Sequence, residues 1–181
     1  MIEIDFETFS HIDVRDVGPQ VYFRHPSTEV LMMSYAIDDG PVHLWVPDGP
    51  WEYDKFPARV KRRLLAGEEL WAHNVEFEQN GLRHVLGIDV PFSQCRDTAV
   101  LALRYGYPMS LAGAASAVGL EVQKDTRGKT LINKFCKPRR PSKNNPAIRW
   151  YPEAAPDEWQ EFCDYCVQDT KTEQALRKRL T

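Results

Sequence analysis

The first residues of the chain alternate between apolar and acidic side chains. Met1-Ile2-Glu3-Ile4-Asp5-Phe6-Glu7 repeats with a period of two, which predicts a β-strand. Apolar runs at 30–37 and 42–46 flank the segment Asp38-Asp39-Gly40. Because Asp-Gly between two such runs favours a tight turn, these runs are predicted to form antiparallel strands. Leu70-Trp71-Ala72-His73 is a further short strand candidate.

Apolar residues at helical spacing predict helices in the later parts of the chain. Their expected ranges are 56–65, 77–86, 98–105, 111–118 and 156–180. Strands at the start, followed by strands interleaved with helices, indicate an α/β fold with helices packed on a mixed sheet. The 181 residues suit one domain covering 1–181, and 43% hydrophobic residues are sufficient for a buried core.

The sequence shows neither a membrane segment nor a secretory signal. No stretch approaches the roughly 20 apolar residues that span a bilayer. The N-terminus also lacks a basic region followed by an apolar one. Four cysteines without a regular framework suit a reducing compartment. We therefore expect a soluble, cytoplasmic protein that does not contact membranes.

Charge is distributed unevenly along the chain. Residues 122–149 carry nine basic residues and one acidic residue, so a net charge of +8 stands against −11 in the rest of the chain. We call this segment the basic arm. Such segregation favours contact with a polyanion, although a solvated loop that happens to be basic would have the same composition.

Two acidic residues share one face of the first predicted strand. Asp5 and Glu7 are two residues apart, so both side chains leave the same side of the sheet. Like charges this close repel each other, and a bound cation would remove the repulsion. Carboxylates are the ligands that Mg²⁺ prefers. An edge strand with its polar face in solvent would show the same alternation, so the pair alone is a weak signal.

Two further polar clusters follow. Asn74, Phe77 and Glu78 come directly after the strand candidate at 70–73, where a helix is predicted to begin. Tyr165 and Asp169 are four residues apart on the last helix and therefore share one of its faces. Taken alone, such a pair is more often a surface hydrogen bond than a catalytic site.

In order, the three clusters resemble the motifs of a known family. They match the three exonuclease motifs of the DEDDy exonucleases, which are DnaQ-like 3′→5′ exonucleases. The chain is most similar to the N-terminal exonuclease domain of phage and bacterial family A DNA polymerases. This similarity spans essentially all 181 residues. The segments that carry it beyond the motifs are Asp5-Phe6-Glu7-Thr8, residues 25–31 leading to Tyr35-Ala36, and Ala72-His73-Asn74.

The resemblance implies a fold, an activity and a cofactor. The fold would be ribonuclease H-like, with a mixed five-stranded sheet flanked by helices. The activity would be hydrolysis of DNA from its 3′ end to nucleoside monophosphates, in proofreading or DNA processing of a phage-like replication system. Two divalent ions, Mg²⁺ or Mn²⁺, would be held by four carboxylates while a tyrosine orients the attacking water. The implied catalytic residues are Asp5, Glu7, Glu78, Tyr165 and Asp169.

The resemblance also implies contacts with substrate. The expected partner is DNA with a single-stranded 3′ end, and a DNA polymerase in cis or in trans is a further partner left open. The residues expected to contact the terminal nucleotide lie near the motifs: Thr8, Phe9, His11, His73, Asn74 and Phe77. The basic arm would follow the phosphates of the entering strand through Lys124, Lys129, Arg139 and Arg140.

Several alternatives stay open at this stage. The second motif usually ends in Asp, whereas Glu78 is one methylene longer. The substrate could be RNA, and a degenerate, non-catalytic module that binds DNA or a polymerase is a different class of function. The sequence supports a ribonuclease H-type endonuclease less, because the Tyr165–Asp169 pair is typical of the exonucleases. Cys163-x-x-Cys166 has no second pair at ligand spacing, so helix packing is its expected role. Asp97 is interpreted as a helix cap.

Overall fold

Five strands form one open sheet at the centre of the molecule. The computed structural model describes residues 1–120, 127–143 and 146–181. The spatial order of the strands is β3-β2-β1-β4-β5. Their bounds are β1 Ile2–Phe9, β2 Glu29–Ile37, β3 His43–Trp45, β4 Leu70–Ala72 and β5 Cys95–Asp97.

The sheet is mixed. β1 pairs antiparallel with β2, which pairs antiparallel with β3. On its other side β1 pairs parallel with β4, and β4 pairs parallel with β5. These pairings confirm the predicted hairpin between β2 and β3 and the predicted α/β fold with a mixed five-stranded sheet.

Seven α-helices in the described ranges flank the sheet. Their bounds are α1 Val14–Arg24, α2 Ala58–Leu65, α3 Glu76–His84, α4 Thr98–Arg104, α5 Leu111–Ala117, α6 Gly128–Phe135 and α7 Pro156–Leu180. The five helices predicted from apolar spacing are confirmed as α2, α3, α4, α5 and α7. α1, α6 and β5 were not predicted. α1 is interrupted at Gly18, whose φ of 76° lies outside the helical region, and β5 has three residues.

Both faces of β1 are covered. Ile2, Ile4 and Phe6 belong to a core that also contains Val60 of α2 and Leu82 of α3. On the opposite face, α7 packs across β1 and β2. The acidic face of β1 is therefore not an edge facing solvent but a buried surface beneath a helix. This excludes the interpretation of Asp5 and Glu7 as a solvated polar face.

Candidate active site

The acidic column of β1 faces α7. Glu3 forms an ion pair with Arg177 of α7, and the Cys166 thiol of the same helix lies 3.7 Å from Asp5 Oδ2. The pairing of β1 with β2 shifts register between Glu7 and Thr8. Such bulges occur often beside active sites, because they redirect the side chains that follow.

Burial and mutual repulsion act on the two acids of the first motif. Burial, followed by the charge of Asp169, raises the pKa of Asp5 to about 8. Burial raises the pKa of Glu7 well above its ordinary value, and the charges of Asp5 and Asp169 add to that effect. The charge of Asp169 on α7 therefore disfavours the ionisation of both acids of β1.

Glu78 reaches the same region from the first turn of α3. Its side chain is 3% exposed, and its Oε2 has no hydrogen-bond partner among the described residues. Burial and then the charge of Asp5 raise its pKa well above the ordinary value. A buried carboxylate oxygen without a partner is costly unless a ligand satisfies it. The longer glutamate thus still lies within range of the charge of Asp5.

Tyr165 and Asp169 share the buried face of α7. The Tyr165 hydroxyl donates a hydrogen bond to the Asp169 carboxylate, and burial together with this acid raises the pKa of the phenol. Gly128, the first residue of α6, lies against the Tyr165 ring. A Cβ on Gly128 would be 2.8 Å from both Cδ2 and Cζ of that ring. Close approach of the α6 backbone therefore depends on glycine at this position.

The structure brings the five predicted catalytic side chains together from β1, α3 and α7. Their oxygens form a set of hard donors that suits Mg²⁺ or Mn²⁺. Glu78 Oε2 adds an unsatisfied buried acceptor. Within the described part of the chain, no three His, Cys, Asp or Glu side chains form a group already arranged around one ion.

A cavity of about 360 Å³ opens beside Glu7. Thr8, His11 and Phe77 line it, as expected of residues that contact a terminal nucleotide. Phe9 is 2% exposed and packs in the core beneath α6 and α7. Its side chain therefore offers no surface to a ligand.

The turn between β4 and α3 forms hydrogen bonds with residues later in the chain. Both nitrogens of His73 are engaged, Nδ1 with Thr98 Oγ1 at 2.9 Å and Nε2 with the Met109 carbonyl at 2.8 Å. These bonds favour the structural role for His73. Asn74 is exposed, with a left-handed φ of 74°. Its side chain remains available for the predicted contact with substrate.

Asp97 has a larger role than a helix cap. Its carboxylate accepts hydrogen bonds from Ala99 N–H at 2.8 Å and Val100 N–H at 3.3 Å, which confirms the cap of α4. It also accepts from Asn74 N–H at 3.0 Å and Val75 N–H at 3.1 Å. One carboxylate thus fixes both the start of α4 and the turn that leads to Glu78.

Much of the basic arm is folded onto the acidic body. Four of its cations form ion pairs with acids of the body, namely Arg127 with Glu161, Lys134 with Glu158, Lys137 with Asp13, and Arg149 with Glu29. Among the predicted phosphate contacts, Lys129 and Arg140 are exposed, and Arg139 lies over the Trp150 ring. Lys124 lies outside the described residues.

One buried acid near the site belongs to no recognised motif. Glu173 is 1% exposed, and burial, followed by the charges of Glu3, Asp5 and Glu78, raises its pKa well above the ordinary value. Tyr165, Asp169, Glu173 and Arg177 are spaced by four along α7. That spacing was the available signal, since four polar residues in a row on one helix face predict a functional or paired surface.

Comparison with known proteins finds similarity to part of a phage DNA polymerase. No known family profile matches the chain. A DNA polymerase of Bacillus phage SP02 is 36% identical in an alignment of 183 residues that covers 99% of this chain and 28% of the polymerase. The chain therefore spans little more than a quarter of the length of that relative and is similar to a segment of a phage DNA polymerase. In the described ranges, no helix is long and apolar enough to cross a membrane.

Proposed function

We propose that this chain is a two-metal-ion 3′→5′ exonuclease with a ribonuclease H-like fold that hydrolyses DNA to nucleoside monophosphates. The observation that carries the proposal is the meeting of Asp5, Glu7, Glu78 and Asp169, which come from three elements. Besides burial, the charge of Asp169 raises the pKa of Asp5 and of Glu7, and the charge of Asp5 raises the pKa of Glu7 and of Glu78. Without a cation, this concentration of buried negative charge is unfavourable. The sheet order β3-β2-β1-β4-β5 also supports the proposed fold.

The carboxylates and the tyrosine have different roles in phosphodiester hydrolysis. When bound, two divalent ions supply a nucleophile at neutral pH and stabilise charge on the phosphate. Asp5, Glu7, Glu78 and Asp169 would hold these ions. The raised pKa of Tyr165 keeps its phenol protonated at neutral pH. Tyr165 therefore orients the attacking water through its hydroxyl and does not act as a general base.

The expected substrate is a single-stranded 3′ end. The cavity beside Glu7 takes the terminal nucleotide, with the Phe77 ring available for stacking. Similarity to a phage DNA polymerase favours DNA over RNA and a place in replication, with proofreading as the corresponding role. A polymerase in cis or in trans is the corresponding protein partner.

The test uses a 5′-labelled single-stranded DNA oligonucleotide with Mg²⁺ or Mn²⁺. We expect products that shorten one nucleotide at a time, and none with Asp5→Ala or in EDTA. Asp54→Ala removes an exposed acid of another region and should behave like the parent. Degradation by Asp5→Ala at the parental rate would refute the assignment. No products from folded parent protein with either metal would favour the non-catalytic module.

Two substrate controls separate the remaining enzyme classes. A circular single strand has no 3′ end, so it should stay intact, whereas an endonuclease would cut it. An RNA oligonucleotide of the same sequence should be degraded more slowly than DNA. Faster degradation of RNA would assign the enzyme to the RNA exonucleases.

A further inference from the structure

Two cysteine thiols lie against two of the carboxylates proposed to hold metal ions. Cys136 follows α6, and its Sγ is 3.6 Å from Glu7 Oε2. Cys166 lies on α7, and its Sγ is 3.7 Å from Asp5 Oδ2. Each of these hard oxygen ligands therefore has a soft sulfur donor beside it.

One of the two thiols borders an open space. Cys136 and Glu7 both line the cavity of about 360 Å³ beside β1, so a hydrated cation can approach this pair from solvent. Cys166 is fully buried and also contacts Ser34 Oγ at 3.3 Å. The Cys136–Glu7 pair is thus the accessible one, and the Cys166–Asp5 pair lies deeper.

The two donor types favour different cations. Mg²⁺ binds oxygen and avoids sulfur, whereas Zn²⁺ and Cd²⁺ favour thiolate together with carboxylate or water. Without a cation, the Cys136 thiol donates a hydrogen bond to Glu7 Oε2. A cation bound between sulfur and carboxylate would take the place of that proton.

We infer that this site has a second binding mode for a thiophilic divalent cation, Zn²⁺ or Cd²⁺, held by Cys136 Sγ and the Glu7 carboxylate. Binding forms a bond from sulfur to the metal and releases the thiol proton to solvent, without oxidation or reduction. Because Glu7 is shared, the thiophilic ion and Mg²⁺ compete. This inhibitory consequence rests on the proposed exonuclease function, whereas the binding does not.

The test is a titration of the metal-free protein with Cd²⁺, followed by the ultraviolet charge-transfer absorbance of the sulfur–cadmium bond. We expect a saturating band in the parent and an affinity at least tenfold lower in Cys136→Ser. Glu7→Gln keeps the thiol and should also weaken binding, which a role for sulfur alone would not predict. Thermal unfolding of each variant confirms that it is folded.

Two matched variants locate the bound ion. Cys95 does not line the cavity beside Glu7, and its sulfur lies 3.7 Å from the Pro91 carbonyl, so Cys95→Ser should titrate like the parent. Cys163→Ser should do so too. Loss of the band in Cys163→Ser but not in Cys136→Ser would assign the ion to the helical Cys163–Cys166 pair and overturn the inference. No band in the parent would also overturn it.

Nuclease assays distinguish failure of this inference from failure of the proposed function. With Mg²⁺ fixed, added Zn²⁺ should inhibit the parent at concentrations at least tenfold lower than those that inhibit Cys136→Ser, each relative to its own uninhibited rate. A cadmium band without nuclease activity would support the binding mode and refute the exonuclease. Activity without a band would refute the binding mode alone.

Discussion

Asp5 couples the chemistry of the site to the stability of the fold. Its pKa rises from 3.8 to about 8 on folding, so between these values the folded chain holds a proton that the unfolded chain has lost. Stability must then fall as pH rises through that window. Each pKa unit corresponds to about 1.4 kcal/mol, which makes an effect of a few kcal/mol the expected scale.

The corresponding measurement is urea unfolding in EDTA at pH 5 and pH 8. The parent should be less stable at pH 8, and Asp5→Asn should lose less stability over the same interval because it has no carboxyl to ionise. Divalent metal should stabilise the parent more at pH 8 than at pH 5. Equal pH dependence in the parent and Asp5→Asn would show that Asp5 ionises normally in the fold.

Gly128 sets the position of Tyr165. A methyl group at this position would lie 2.8 Å from Cδ2 and Cζ of the ring, so Gly128→Ala must displace the ring or α6. We expect kcat to fall about tenfold, a cost of about 1.4 kcal/mol in the barrier, with a smaller change in KM. Tyr165→Phe removes the hydroxyl and should reduce kcat less than Asp5→Ala does.

A double-mutant cycle tests whether Gly128 acts through the ring. With Tyr165→Ala there is no ring to displace, so Gly128→Ala should then have little further effect on kcat. Additive losses in the double mutant would instead indicate a general disturbance of α6. Thermal unfolding should accompany the kinetics, because α6 also packs on α7 through Phe135 and Phe162.

At the scale of elements, Asp97 joins the end of β5 to the turn before α3. Asp97→Ala leaves four backbone N–H groups without their acceptor, namely those of Asn74, Val75, Ala99 and Val100. Loss of a helix cap costs about 0.5–2 kcal/mol, and the two bonds to the turn should bring the total to about 2–3 kcal/mol. Activity should also fall, since the helix that carries Glu78 begins at this turn.

The control for Asp97 is Asp157→Ala, an exposed acid in the first turn of α7. It should change the free energy of unfolding by no more than about 1 kcal/mol, as expected of a helix-dipole effect. If Asp97→Ala were no less stable than Asp157→Ala, the four hydrogen bonds would contribute little. Normal stability with lowered activity would restrict Asp97 to a positioning role.

Elements with a clear period were predictable, and those held by tertiary contacts were not. Apolar residues recur with a period of two in β1 and at helical spacing in α7, and both elements lie close to their predicted bounds. α1 contains Gly18-Pro19, which interrupts a helical pattern. α6 lies in a segment whose composition indicated a basic loop, but Leu131 and Phe135 anchor it on α7. The deciding interactions come from residues distant in sequence.

The same limit applies to the site. The motif residues were identified from short patterns, whereas the contact of Cys136 with Glu7 joins positions 129 residues apart. No local signal marks Gly128 as the neighbour of Tyr165. Burial also reversed one inference, because Phe9 lies close to the motif in sequence yet points into the core. The grouping of the acids could thus be predicted from short motifs, but the residues that support the site could not.

For the whole molecule, charge segregation along the sequence does not translate into a uniformly basic surface. Lys137 reaches Asp13, and Arg149 reaches Glu29, 120 residues away. These pairs neutralise part of the basic arm while holding it against the body. On the proposed function, a DNA strand would therefore meet fewer unpaired cations than the composition indicates.

The number of phosphates contacted can be measured from the salt dependence of binding. Lys129 and Arg140 are exposed and form no ion pair with a residue in the described ranges. With about two or three such contacts, log K for single-stranded DNA should fall with log salt with a slope of about −1.4 to −2.1. Engagement of all nine cations of the arm would give about −6.

Fluorescence anisotropy with the inactive Asp5→Ala protein and a labelled oligonucleotide gives this slope. Lys129→Ala should reduce its magnitude by about 0.7, whereas Lys61→Ala, which removes an exposed lysine of α2, should leave it unchanged. A slope near −6 would mean that the ion pairs with the body open when DNA binds, so that phosphates replace Glu29 and Asp13 as partners of the arm. The basic arm would then detach from the body when substrate binds and would not be a fixed part of the fold. Removing either Glu29 or Asp13 would in that case strengthen the binding of DNA.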